Sequence, residues 1–284
     1  QLQSFPQLKT VYTWNIPVAA ADMEKVRAQV KNIRFETGFK GDTIVMKLSA
    51  PIVQNEESII TSPVPLKLKH YINGTTIRFT TDGSDPDSIT SPVFKPGEMI
   101  NGNAFIKAKA YKPGWISSDI MEVNFYRSTY KADSLLFLLQ PDPDYKGEAK
   151  MLSDLIKGET NFRLGNWLAW RQTRMEALLQ FTKPTTVQSI TLSTLIDVGS
   201  YIMPPSSIEI WGGDDVNKMK LLGSVKPQQP TMQQPSSLRG FECKFDPATV
   251  KYIKIIGNTV NKLPAWHPGK GDKGWLFVDE VLVN

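Results

Sequence analysis

The sequence predicts an all-β protein: two β-sandwiches in tandem behind a short N-terminal segment. Three observations carry this reading. From Asp42 onward, short runs of β-branched and aromatic residues alternate with a period of two. Asn-Gly, Asp-Gly and Pro-Gly dipeptides punctuate these runs. At 284 residues, the chain favours two domains over one.

Residues 1–44 differ in texture. In "ADMEKVRAQVKNI", Met23, Val26, Val30 and Ile33 recur at spacings that place them on one face of a helix capped by Asp22. The overlapping "VRAQVKNIRF" also alternates weakly enough to be a strand, and both readings stand.

Residues 45–128 form the first sandwich. Its strand candidates are "DTIVMKLSAP", "VPLKLKHYI", "TTIRFTTDGSDP", "AFIKAKAYKPGW" and "DIMEVNFY". The alternation is plainest in "FIKAKAY", with Phe105, Lys107, Lys109 and Tyr111 on one side and Ile106, Ala108 and Ala110 on the other. About seven such runs in some ninety residues fit an immunoglobulin- or fibronectin-like sandwich.

Residues 129–284 form the second. A long connecting segment, "PDPDYKGEAKMLSDLIKGETNFRLGNWLAW", leads into "MEALLQF", "TVQSITLSTL", "SSIEIWG", "LRGFECKF", "KYIKIIGN" and "WLFVDEVLV". Roughly eight strands, long loops and no helical period predict a jelly-roll sandwich. The polar, Pro-rich "KPQQPTMQQPSS" reads as a flexible loop.

Composition excludes several classes. Hydrophobic residues at 40% and charged residues at 21% are ordinary for a globular protein. The net charge is +5, but 33 basic residues are interleaved with 28 acidic ones and no basic run stands out, so no nucleic-acid partner is expected. The single cysteine, Cys243, forms no internal disulfide. No apolar run approaches the ~18 residues of a membrane span. Gln1 is not an initiator, which fits a mature or trimmed form.

Two stretches carry resemblances. "TTIRFTTDGSDPDSITSPVF" followed by "FIKAKAYKPGWISSDI" resembles the C-terminal sandwich of chitobiases and β-hexosaminidases, also called fibronectin-type-III-associated, over roughly residues 48–127. "LSDLIKGETNFRLGNWLAW" and "YIKIIGN…PAWHPGKGDKGWLFVDEVLV" resemble the discoidin domain over roughly residues 135–284. This is the coagulation-factor type C module, which as a carbohydrate-binding module belongs to family 32. The resemblance is narrowest to the discoidin module that follows the catalytic barrel of bacterial family 20 β-N-acetylhexosaminidases.

Together they imply a spacer joined to a galactose-binding-like jelly roll, extracytoplasmic and without catalysis of its own. The expected ligand is a galactose- or N-acetylhexosamine-type glycan. Two rivals remain: the tail of a larger glycoside hydrolase, and an adhesion module with no sugar ligand.

Family 20 enzymes hydrolyse with an adjacent Asp-Glu pair, and this chain has Asp279-Glu280. Inside the strand "WLFVDEVLV", however, neighbours point to opposite faces, so both cannot face one substrate. Elbow, P-loop, HExxH and CxxC signatures are absent. The discoidin resemblance implies a structural calcium ion held by loop carbonyls, Asp154, Thr160 and Glu280. That family usually has Gly where this chain has Leu155, which leaves a dry turn with Glu280 in a salt bridge as the alternative.

Sugar binding needs an aromatic face beside fixed donors and acceptors. The candidates are Trp170, Arg171, Asp197, Tyr201, Trp266, His267 and Lys270, all in inter-strand loops, whereas Trp167 and Trp275 are expected in the core.

Overall fold

The computed structural model describes residues 2–14, 16, 18–36 and 45–284. Near the N-terminus, β1 (Thr10–Tyr12) and β2 (Arg34–Glu36) pair in parallel, and α1 (Ala20–Gln29) connects them. The helix reading holds over Ala20–Gln29, whereas of the alternative strand "VRAQVKNIRF" only Arg34 and Phe35 are extended, because Val26–Gln29 complete the helix. Asp22 is not the cap. Ala19 occupies that position without a side-chain bond, and Asp22 sits in the first turn, 3.0 Å from Lys25 Nζ. An acid there still complements the helix dipole. Val30 closes the helix, so Ile33 lies beyond its face. In the first strand candidate, Asp42, Thr43 and Ile44 lie outside the described residues.

The first sandwich contains β3 (Ile52–Val53), β4 (Ile59–Ile60), β5 (Val64–Pro65), β6 (Leu68–Lys69), β7 (Thr76–Thr80), β8 (Met99–Ile100), β9 (Ala104–Tyr111) and β10 (Met121–Arg127). Its main sheet runs β4-β10-β9-β7, opposed by the pairs β3–β6 and β5–β8. "VPLKLKHYI" is therefore two short strands and not one. The alternation in β9 is realised: Ile106, Ala108 and Ala110 are fully buried. Ile106, Ala108 and Phe125 pack against Leu66, Leu68, Ile77, Phe79 and Ile100.

The second sandwich contains β11 (Ser134–Leu139), β12 (Leu168–Trp170), β13 (Met175–Ile196), β14 (Ser207–Gly213), β15 (Lys220–Val225), β16 (Ser237–Asn258) and β17 (Leu276–Val283). Four of the strand candidates are the halves of two long strands, β13 and β16. These pair along their whole length, with register shifts between Gln180 and Thr185 and between Val187 and Ser189. Thr182, Lys183 and Pro184 are exposed at this corner, and Pro184 has no N–H to give to a ladder. Before the bend β13 also pairs with β11, and after it with β17. Bent strands of this kind carry a sheet over onto itself and enclose a core. That core includes Trp170, Met175, Leu192, Ile210, Ile255 and Val278.

Alternation along β10 sends Phe125 into the first core and Tyr126 out of it, onto the second sandwich. Tyr126 packs with Ile59 and with Leu282 of β17. Burial pushes its phenol up to about 12. Polar contacts reinforce the junction: Asn124 Nδ2 donates to Leu238 O at 3.0 Å, Asn284 Nδ2 to Arg127 O at 2.9 Å, and Asn103 Nδ2 to Thr191 Oγ1 at 3.1 Å.

Opposite Tyr126 lies Gly240, where a Cβ would stand 2.3 Å from the ring. Gly240→Ala is expected to destabilise the protein by about 1–3 kcal/mol, the usual cost of overpacking. Urea unfolding checks this, and Tyr126→Leu should relieve most of the loss.

Candidate functional site

Three inter-strand connections meet at one end of the second sandwich. The β13–β14 loop meets the end of the β16–β17 loop through Met203 N to Trp275 O (3.0 Å) and Trp275 N to Tyr201 O (2.8 Å). Arg171, just after β12, joins them: its Nε donates to Lys273 O at 3.1 Å and its guanidinium lies 5.3 Å from the centre of the Trp275 ring. Arg171, Asp197, Tyr201, Trp266, His267 and Lys270 thus come from loops that share one surface.

Trp170 is the first correction, because it does not contribute to that surface. Its side chain is 0% exposed and its indole Nε1 donates to Leu139 O at 3.1 Å. On a strand buried on both faces, the Trp ring enters the core whichever way the chain enters the loop. Trp167 is buried as expected, while Trp275 is only half-buried, under Arg171.

His267 is the second correction. It is 3% exposed, and both ring nitrogens are committed within the protein. Gly269 N donates to Nδ1 at 2.9 Å, so Nδ1 is the acceptor and Nε2 carries the proton that it donates to Val198 O at 2.8 Å. The imidazole also meets the Tyr201 ring edge-on, with centroids 4.9 Å apart. It is a neutral rivet between loops, with no donor left for a sugar hydroxyl.

What remains outward-facing is Trp266, 36% exposed, with Lys270 exposed beside it. Tyr201 is half-buried, and its left-handed φ of 66° turns the chain back towards Ile202. Asp197 Oδ1 accepts from Ser200 N at 3.3 Å, and among the described residues its Oδ2 has no hydrogen-bond partner. The Pro-rich loop, expected to be flexible, also reaches this end. Gln229 Nε2 donates to Pro205 O at 3.1 Å. Gln233 and Asp197 both flank Gly199. Sequence reasoning missed these amides, whose only signal was Gln beside Pro in a biased segment.

The expected calcium ligands lie elsewhere, near the junction. Asp154 is exposed and its Oδ1 accepts from Ile156 N at 2.9 Å. Leu155 adopts a left-handed φ of 67°, so the turn keeps the conformation that glycine would favour despite the change of residue. Glu280 is 0% exposed, both its oxygens lack a hydrogen-bond partner, and it has no salt bridge among the described residues. Burial, and then the neighbouring Asp154 and Asp279 carboxyls, push it up to about 9. Thr160 is exposed and makes no side-chain hydrogen bond among the described residues.

Asp279 points to the opposite face and is committed: its Oδ2 accepts from Lys157 Nζ at 2.6 Å and from Gly158 N at 2.8 Å. Among the described residues, no three His, Cys, Asp or Glu side chains are grouped to hold a metal. The orphaned Glu280 oxygens beside Asp154 nevertheless fit one hard cation completed by loop carbonyls.

Residues 66–125 match the family described as Fn3 associated. The match lies inside the stretch that resembles the chitobiase C-terminal sandwich. No curated protein matches the chain.

Similar solved structures include the CBM32 of AlyQ in complex with 4,5-unsaturated mannuronic acid, at 15% identity over 55% of this chain and 96% of that one, with a TM-score of 0.34. CpGH89CBM32-5 from Clostridium perfringens, in complex with GalNAc-β-1,3-galactose, is 16% identical over 53% of this chain and 93% of its own, with a TM-score of 0.34. The C-terminal domain of a chitobiase from Bacteroides fragilis is 16% identical over 54% and 91%, also at 0.34.

The Glu280 environment has a readable consequence. The folded-state value of about 9 stands above the ordinary 4.5, so the native state holds a proton that the unfolded chain releases. The stability this confers is complete below about pH 4.5 and is lost as pH rises to about 9, at roughly 1.4 kcal/mol per unit. In calcium-free buffer the parent melting temperature should fall steadily from pH 5 to 9. Glu280→Gln should flatten that slope, and equal slopes in the two proteins would refute the assignment.

Proposed function

We propose that this chain is a non-catalytic, glycan-binding accessory region of a secreted or surface glycan-processing protein. The observation that carries the reading is the loop end. There, an exposed indole, Trp266, projects from a surface rimmed by Arg171, Asp197, Tyr201 and Lys270 and pinned from beneath by His267.

The apolar C–H face of a pyranose stacks on such a ring, while Lys270 donates and Asp197 accepts hydroxyl hydrogen bonds. The ligand class is a galactose- or N-acetylhexosamine-type glycan, bound weakly at an exposed, shallow surface. Trp170 and His267 take no part in contact. The Fn3 associated match over residues 66–125 supports the accessory-region reading.

Absence of catalysis by this chain is part of the proposal. Asp279 is locked in an ion pair and Glu280 is sealed on the other face of β17, so neither reaches a substrate. Among the described residues no helix is long and apolar enough to cross a membrane. An extracytoplasmic location belongs to the reading as well.

A structural calcium ion is proposed at Asp154 and Glu280, with Thr160 and loop carbonyls completing the shell. Bound there, it would supply the counter-charge that the Glu280 oxygens lack and would hold the turn at Leu155.

The burial of Trp170 and His267 favours one rival, an adhesion module whose loop end is only a packed corner. A glycan array separates the two. The full chain should retain galactose- or N-acetylhexosamine-terminated glycans, and Trp266→Ala should weaken that binding about tenfold, equivalent to about 1.4 kcal/mol of stacking. A parent chain that retains no glycan would favour the rival, and unchanged affinity in the variant would reduce the loop end to a packed corner. A chromogenic N-acetylglucosaminide should remain intact.

For the metal, saturating calcium should raise the melting temperature, with about 2.7 kcal/mol gained at a hundredfold excess over Kd. Glu280→Gln should abolish the rise. A parent melt unmoved by calcium and by chelator would remove the metal from the reading.

A further inference from the structure

A cleft of about 850 Å3 with a mixed polar and apolar lining opens where the two sandwiches meet, away from the loop end. We propose that it is a second saccharide-binding site, built jointly by both sandwiches; this rests on the glycan-binding reading above. Its size falls within the roughly 300–1,000 Å3 typical of ligand sites.

The walls are held before any ligand arrives. Arg127 N donates to Asn103 Oδ1 at 2.8 Å and Arg127 Nη1 to Asn101 O at 2.8 Å, which ties the β8–β9 turn to the end of β10. Asn284 Oδ1 accepts from Thr129 Oγ1 at 2.7 Å, while its backbone carbonyl accepts from Gln188 N at 2.7 Å. Residues of the first sandwich, of the connection and of β13 are thereby clasped together. A preformed cleft of this kind costs a ligand little ordering of the protein.

The lining carries the elements of sugar recognition. Tyr130 is 38% exposed and offers a ring face and a hydroxyl, while its backbone N is anchored to Val283 O at 3.1 Å. Phe245 adds a half-buried apolar surface. Gln188 is exposed, and its amide makes no side-chain hydrogen bond among the described residues, so both donor and acceptor are free. Lys244 and Glu242 stand 3.4 Å apart on the lining, and Arg127 has no carboxylate partner among the described residues.

A ligand whose every polar group both donates and accepts suits this mixture of amide, carboxylate and cations around an aromatic ring. A polyanion would meet Glu242. An apolar peptide would leave the amide, carboxylate and cations of the lining without partners.

The full chain is screened on an array bearing N-acetylhexosamine-, galactose- and uronic-acid-terminated oligosaccharides, and the best-retained glycan is titrated by calorimetry. Tyr130→Ala, Gln188→Ala and Trp266→Ala are compared, with thermal melts confirming that each folds. Gln188→Ala removes an exposed side chain and is the variant least able to disturb packing.

Trp266→Ala is expected to keep residual binding that Tyr130→Ala or Gln188→Ala then weakens about tenfold. If Trp266→Ala removes all binding while both cleft variants retain the parent affinity, the cleft is not a saccharide site although the glycan-binding reading survives. If the parent retains no glycan on the array, that reading fails and the cleft proposal falls with it.

Discussion

The Lys157 ammonium is the contact around which the middle of the molecule is arranged. It bonds Asp279 on β17 and Ser193 on β13, and it lies 5.2 Å from the centre of the Tyr126 ring of the first sandwich. Asp279 is almost wholly removed from water, and a carboxylate in that position is tolerable only with a close counter-charge and further donors. Gly158, the next residue, supplies one of those donors through its N–H, and a Cβ there would collide with the Trp167 ring at 2.4 Å. One ion pair therefore seats the long connecting segment against β17, and that segment covers the outer aromatic cluster of Trp167, Phe277, Tyr145 and Phe162. The same ammonium meets Tyr126, so the orientation of the first sandwich is tied to it as well.

That coupling makes the first sandwich more than a spacer. A spacer needs only to fold, whereas this one shares a hydrophobic contact through Tyr126, Ile59 and Leu282 and several side-chain to backbone hydrogen bonds with its neighbour. The clefts at the junction exist because both walls are fixed. At the other end, rigidity comes from a different device. Three loops carry few strand hydrogen bonds, and His267 substitutes for them by spanning from Gly269 to Val198. The exposed Trp266 next to it is presented on a framework that does not have to be ordered by a ligand.

Glu280 illustrates how a rule about alternation can be right and still incomplete. Neighbours on β17 do leave the strand on opposite faces, which keeps Asp279 and Glu280 from acting together. Only the packing shows that both faces are covered: Asp279 is paired with Lys157 through Oδ2, while its Oδ1 and both Glu280 oxygens have no hydrogen-bond partner among the described residues. A buried acid of this kind stays protonated or acquires a cation. The left-handed turn at Leu155, beside Asp154, brings a second carboxyl near it.

Local pattern was enough for the fold class. Period-two alternation placed Ile106, Ala108 and Ala110 in a core, and turn dipeptides separated most of the strands, because side-chain direction along a strand is a property of the backbone alone. The same pattern split β13 and β16 into halves, since a bend at Lys183-Pro184 looks like a strand end until the partner strand is seen to continue through it. It also placed Arg171, Asp197, Tyr201, Trp266 and Lys270 between strands, where the structure has them. It could not tell Trp170 from Trp266, or recognise His267 as a structural residue. Exposure and tautomer are set by whichever segments approach across the fold: Leu139 for Trp170, Val198 for His267. Those partners lie tens of residues away in sequence. Burial, the pairing of Asp279, the unpaired state of Glu280 and the junction cleft were therefore decided only by tertiary structure, because each depends on long-range contacts and on desolvation that no local pattern encodes.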